Sequence, residues 1–394
     1  MSGKFLSYID PLFANKTAHR IFMGGFIFLC LLHLFSQRPL WLDENFVYQN
    51  IIQSTSVQLF GPLDTSQAFP RVHLCMVKWF SFLFDNHVVA LRFFSFVFMT
   101  AAFLVWKRIY FSQIKENQTL VGLLLFSWVS SYWLVYYSAE LKPYSMDVLT
   151  VGLYTLFFYF QNQFKDQAPS RLLWISSAFI PFLIFFSYAS IFVLWIGVYN
   201  FLHLAFRNKK LIGVLILHGF ISLVCLILFY WFDIRHSSSG TMSNYWESYF
   251  LCTESAKCFF GTFGEGVKRY AVFWWGTQKF FRRAAVIFIP LFLYGLVRWG
   301  AGSFKKENFK IVSLESLSFV LFIEFIILGL LHKYPFTGQR ITLFYAPFVF
   351  YLIIKTLIEA RRIKFLGNIL YSYYIVFCCA SLTVSTWMYA RLYQ

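Results

Sequence analysis

Residues 38–50 read RPLWLDENFVYQN, and this stretch puts two adjacent carboxylates, Asp43 and Glu44, just after the first long apolar run of a chain with only 17 acidic residues. Other ionisable groups collect in a few short motifs. Arg71 and His73 follow Pro70 in QAFPRVHL, and Arg92 lies in VVALRFFSF. Glu140, Lys142, Tyr144 and Asp147 surround Pro143 in YYSAELKPYSMDVL, and His332, Lys333, Tyr334 and Arg340 punctuate LLHKYPFTGQRITLFYAPF. Ionisable groups within or against membrane helices are costly and by default point to function. Several cations around one carboxylate suit an amphiphile with an anionic head. Arg forks and a Lys point charge can hold a lipid phosphate, while a carboxylate takes the proton of an attacking hydroxyl as general base. If the electrophile is a sugar carbon linked to that phosphate, the same cations stabilise the departing group. Such a reaction needs no nucleotide and no glycine-rich phosphate loop, and none is visible.

Each residue also has a plainer account. Arg92 can snorkel to headgroups, Glu140 and Lys142 can cap a helix opened by Pro143, and His332 and Lys333 can be interfacial. An Asp–Glu dipeptide can simply decorate a loop. Convergence favours the functional account, because three separate turns bring acids and bases to one membrane face.

The elements that must position these groups are membrane helices. The chain is 59% hydrophobic and only 13% charged, against roughly 25% charged in a soluble domain. Apolar runs recur along its length, each of a size to cross a hydrocarbon core of about 30 Å, and no alternating strands of a barrel are visible. The expected fold is an all-α polytopic membrane protein of about eleven spans. They fall near 20–37, 86–106, 118–138, 145–161, 172–188, 189–206, 211–232, 284–300, 313–331, 341–357 and 366–390, with a turn expected at Ser187–Ser190. The +17 charge does not point to nucleic acid, because Lys and Arg collect in short loops as topology determinants. Lys107, Arg108, Lys115, Lys165, Arg171, Arg207, Lys209, Lys210, Arg298, Lys305, Lys306, Lys310, Lys355, Arg361, Arg362 and Lys364 then face the cytoplasm. The short outer loops hold few basic residues, mainly Lys142, Lys333 and Arg340, and this bias gives N-in and, with eleven spans, C-out. No cleavable signal is expected at the N-terminus, and the N-x-T matches at Asn15 and Asn117, facing the cytoplasm, read as chance.

Residues 1–394 are expected to form one integral-membrane domain without a soluble C-terminal domain. The first outer loop, about 36–86, carries ENFVYQNIIQ and PRVHLCMVKWFSFLF, expected as amphipathic surface helices. The second outer loop, 233–283, is the expected active-site cap. Its Tyr245, Trp246, Trp274 and Trp275 could stack on sugars but fit an interface belt better. Cys252 and Cys258 alone share an outer loop, so a disulfide is open there, and no metal-type Cys/His spacing occurs.

Taken together, WLDENF, QAFPRVHL with ALRFFS, YSAELKPYSMDVL and HKYPFTGQRITLFYAPFVFYL resemble the glycosyltransferase C superfamily over residues 20–355. The likeness is to bacterial relatives of protein O-mannosyltransferases and lipid A aminoarabinose transferases. It implies transfer of a sugar from a polyprenyl-phosphate donor to an acceptor hydroxyl outside the cytoplasm, usually with inversion, at a bacterial inner membrane. By resemblance Asp43 is the general base and Glu44 supports it. Arg92, Lys142 and Arg340 fall near the donor phosphate with Tyr144 beside them. Arg71, His73, Glu140, His332, Lys333 and Tyr334 are further candidates for substrate binding. The partners implied are the donor, a protein, lipid or glycan acceptor, and membrane lipids, with no nucleic acid. No cofactor is required, although the acidic pair could recruit a divalent metal. Two other classes compete: a lipid or polysaccharide transporter, which predicts repeats or paired broken helices that are not visible, and a non-catalytic subunit of an envelope-glycan assembly.

Overall fold

The computed structural model describes residues 9–36, 38–64, 67–85, 87–237, 245–276, 279–305 and 312–391. The loop lysines Lys306 and Lys310, and the parts of the two long loops at 37, 65–66, 86, 238–244 and 277–278, lie outside the described residues. Among the described residues the chain is helical throughout, with no strand. Every one of the eleven apolar runs carries a helix, but seven helices are long and apolar enough to cross a membrane. These are Lys16–Leu34, Val88–Gln113, Ser190–Arg207, Lys209–Ile234, Lys279–Ser303, Arg340–Ala360 and Phe365–Arg391. They make the chain a multi-pass membrane protein.

The other four runs depart from a simple span for local reasons. Residues 118–138 split into Gln118–Ser130 and Tyr132–Tyr137. Ser131 is extended between them, and its hydroxyl donates to the carbonyl of Trp274 at 2.9 Å. The run at 172–188 is α-helical only over Arg171–Phe179 and continues as the tighter helix Ile180–Phe185, where Pro181 has no N–H to give the preceding turn. The chain then turns and restarts at Ser190, within the expected SYAS break. Tyr144–Asn162 is long enough but too polar, and Leu314–Leu330 has only 17 residues. Asn15 and Asn117 do have a local role. Each caps a helix, accepting from Thr17 N at 2.8 Å and Leu120 N at 2.9 Å, which satisfies an otherwise orphaned donor.

The chain divides into two compact units: Met1–Arg38, Trp106–Ala139 and Ser248–Gln394 form one, Pro39–Val105 and Glu140–Glu247 the other. In the first unit Arg340–Ala360 is the central helix, with 83% of its apolar window buried. It packs against Lys279–Ser303, Gln118–Ser130, Leu314–Leu330 and Lys364–Arg391. Trp274 and Trp275 lie in this core and not in an interface belt, which corrects the expectation. Trp275 packs on Phe350 at 5.0 Å and Tyr374 at 5.7 Å, while the Trp274 indole donates to the carbonyl of Tyr270.

In the second unit Tyr144–Asn162 is buried along most of its length against Ser190–Arg207. The two amphipathic segments of the first loop form the helices Leu42–Gln53 and Arg71–Phe82, 12 residues each. At about 18 Å each is too short to span a membrane. Val47, Ile51, Leu74 and Val77 bury one face of the pair in a cluster with Leu59, Leu63, Phe69, Leu91 and Leu141. Trp79, Phe82, Leu83 and Phe84 stay exposed at the end of the second helix.

Candidate functional site

The second unit brings three of the sequence motifs into direct contact. Asp43 and Glu44 occupy the first turn of Leu42–Gln53, where the helix dipole favours negative charge. Their environments differ. Glu44 is fully buried and accepts from Arg92 Nε at 2.8 Å and Arg92 Nη2 at 2.6 Å, a two-pronged contact with a guanidinium that is itself fully buried. Glu44 also accepts from Leu141 N at 2.8 Å and Trp41 N at 3.3 Å, so one carboxylate ties WLDENF to LRFFS and to AELKPY. Arg92 further donates to the carbonyl of Pro39 at 3.2 Å. Asp43, one residue earlier on the same turn, is only half-buried.

The ELKPY turn carries three candidates. Glu140 is fully buried, accepts from the indole N–H of Trp41, and its carbonyl accepts from the Ser95 hydroxyl. Lys142 is 6% exposed, and its ammonium donates to the side-chain oxygen of Gln67 at 2.7 Å. Pro143 sits at the N-cap of Tyr144–Asn162, so Tyr144 opens that helix, as the plainer account of the motif expected.

Arg71 and His73 open the helix Arg71–Phe82 and are both buried. Arg71 meets Asp233, a residue that sequence reasoning took only as the start of a loop. Asp233 accepts from Arg71 N at 3.1 Å and from Tyr188 Oη at 2.6 Å, and its carboxylate lies 3.9 Å from Arg71 Nε. It sits in a π-helical turn, Tyr230–Ile234, that ends the long apolar helix. The pair stands in the wall of an apolar cavity of ≈ 210 Å³ lined by Phe60, Val72, Phe185, Leu228 and Phe232. His73 lies between Phe69 at 5.2 Å and Phe98 at 5.3 Å. Burial pushes its imidazole down to about 4, against a raising hydrogen bond with the Phe186 backbone, so the ring is neutral at neutral pH.

The late motif belongs to the first unit. His332 is exposed, has φ of +52°, and stacks on Phe250 at 5.1 Å, while its Nε2 contacts the carbonyl of Leu251 at 3.2 Å. Lys333 is exposed. Tyr334 donates to the carbonyl of Ile341 at 2.7 Å and stacks on Phe325. Arg340 is half-buried at the start of the short helix Arg340–Tyr345. Gly338 is required by close approach, since a Cβ there would lie 2.4 Å from Tyr270 N. The segment 249–262 packs beside this turn, and Cys252 and Cys258 within it form a disulfide.

In the second unit a half-buried carboxylate therefore stands on a turn whose neighbouring carboxylate is locked by an arginine, with a buried lysine in the turn that the same carboxylate holds. Such a group can accept a proton, and its neighbours fix where it stands. The charge partners of Glu44 and Arg71 lie 48 and 162 residues away in sequence. Motif reading could find the ionisable residues but not these pairings. Comparison with protein-family models, with curated proteins and with solved structures finds no match to this chain.

Proposed function

We propose that this chain is a membrane glycosyltransferase that moves a sugar from a polyprenyl-phosphate donor to an acceptor hydroxyl on the extracytoplasmic face. Asp43 takes the proton of the acceptor hydroxyl. The acceptor oxygen attacks the anomeric carbon, the bond from that carbon to the lipid phosphate breaks, and the configuration inverts. The observation that carries this reading is the Glu44 contact set. It holds three short motifs together and leaves the adjacent Asp43 half-exposed on a helix N-terminal turn.

Because Arg92 holds Glu44 with both prongs, the reading gives that pair the work of fixing the Asp43 turn. Lys142, with Tyr144 beside it in sequence, is the cation assigned to the leaving phosphate, and a lysine suits that task as a point charge. The extracytoplasmic side is supported by two features: the short loops on the other side are rich in Lys and Arg while the short outer loops hold few, and the Cys252–Cys258 disulfide belongs in an oxidising compartment.

The test is transfer of labelled sugar from polyprenyl phosphate in membranes carrying Asp43→Asn. The amide keeps the shape and cannot take a proton, so the rate is expected to fall by about 10²–10⁴-fold while the protein still inserts. Turnover at the wild-type rate would remove Asp43 from this role.

A further inference from the structure

The membrane span Lys279–Ser303 opens with the short helix Lys279–Ala284, in which Phe281 is buried and packs on Phe377 at 5.7 Å. Lys279, Arg282 and Arg283, at spacings of three and four, share the face opposite Phe281, and all three are exposed. At the same spacings this face continues along the span through Val286, Pro290, Leu293 and Val297, every one of them exposed. One strip therefore carries three cations at its end and only apolar side chains after them.

These cations have no local acid. Between Glu265 and Glu307 the sequence contains no Asp or Glu, and Glu265 is already held by Lys268 at 3.0 Å and Arg269 at 3.1 Å. Among the described residues none of the three forms an ion pair. Like charges three and four positions apart on a helix repel and destabilise it, and an anion seated on them offsets that repulsion.

We infer that this strip seats an anionic phospholipid, with its phosphate on Lys279, Arg282 and Arg283 and a hydrocarbon chain along Val286, Pro290, Leu293 and Val297. Charge and apolar surface follow one another here in the order in which a phospholipid carries them. Basic side chains at the end of a span attract anionic headgroups, and arginine forks match a phosphate. A second copy of the chain suits the strip less, because a two-fold contact within a membrane would set the three cations against the same three. The inference does not depend on the transferase reading.

Native mass spectrometry of the full chain released from detergent micelles measures the lipid it retains. Wild type is expected to retain dioleoylphosphatidylglycerol in preference to dioleoylphosphatidylcholine. Lys279→Gln, Arg282→Gln and Arg283→Gln combined should lower that preference by about tenfold or more. Arg282→Lys with Arg283→Lys keeps the charge and should keep most of it. A control, Arg207→Gln, Lys209→Gln and Lys210→Gln combined, removes three exposed cations elsewhere and should leave it in place. Equal retention of the two lipids by wild type overturns the inference whatever the variants do, and so does an equal loss in the control. Glycerol 3-phosphate, a phosphate headgroup without chains, should not displace the lipid at equal concentration. Displacement would make a soluble anion the occupant, and disulfide cross-linking of Leu293→Cys between copies would make it a second chain. Either result overturns the lipid.

Discussion

At the scale of single residues, the two acids of WLDENF stand in different surroundings, Glu44 buried and Asp43 half-buried. Glu44 is fully buried, and an isolated carboxylate there would be prohibitive. Two prongs from Arg92 and two backbone N–H groups make it tolerable. Breaking such a pair from one side is costly. Arg92→Met leaves Glu44 buried without its cation and is expected to destabilise the protein by about 3–5 kcal/mol. Combining it with Glu44→Gln removes the stranded charge, so the double variant should be more stable than the sum of the singles predicts, with coupling of about 1–3 kcal/mol. Thermal unfolding of the four proteins in detergent checks this, and additive singles would mean that the pair does not hold the turn. The dipeptide itself was legible in the sequence. Which acid is locked and which is accessible was not, because the lock comes from residues 48 and 97 positions away.

At the scale of elements, helix periodicity and apolar runs located the helices, and local chemistry set where they break. Ser131 and Pro181 interrupt runs that composition alone would have continued, one by giving its hydroxyl to a neighbouring carbonyl and one by lacking an N–H. The strap at 249–262 is the element of most consequence in the first unit. Leu251 N donates to Gly329 O at 3.3 Å, Phe336 N donates to Tyr249 O at 2.9 Å, and Phe250 stacks on His332, a non-glycine residue held at positive φ. The Cys252–Cys258 disulfide closes a small loop in that strap, worth roughly 2 kcal/mol of chain entropy. Replacing both cysteines by serine is expected to raise amide exchange on the order of tenfold over 249–262 and 329–336 and to leave Arg340–Ala360 unchanged. Hydrogen-exchange mass spectrometry measures this, and an unaltered pattern would show that packing holds the strap without the disulfide.

At the scale of the whole molecule, seven helices qualify as spans by length and apolarity, and the remaining apolar runs form shorter or more polar helices. The distribution of basic residues predicts sidedness on physical grounds, since cationic loops are retained on the cytoplasmic side. In a cysteine-free background, Lys209→Cys should react with a membrane-impermeant maleimide only after permeabilisation, and Glu254→Cys should react in intact cells. Both positions are exposed, so labelling reports side and not burial. The opposite pattern would invert the proposed face of Asp43.

Composition and periodicity by themselves determined an all-helical membrane chain, the positions of its eleven apolar runs, and the motifs in which charge accumulates. These are local properties, set by the length of a bilayer and the pitch of a helix, and one sequence contains them. Tertiary structure alone decided that Arg92 grips Glu44, that Arg71 meets Asp233 across 162 residues, that Glu140 turns the Trp41 indole inward, and that Trp274 and Trp275 are core and not belt. The physical reason is common to all four. A buried charge or ring takes whichever complementary partner the packing of distant helices brings to it, and sequence spacing carries no record of that choice. For WLDENF, this turned a pair of like acids into one carboxylate buried on an arginine and one left half-buried beside it.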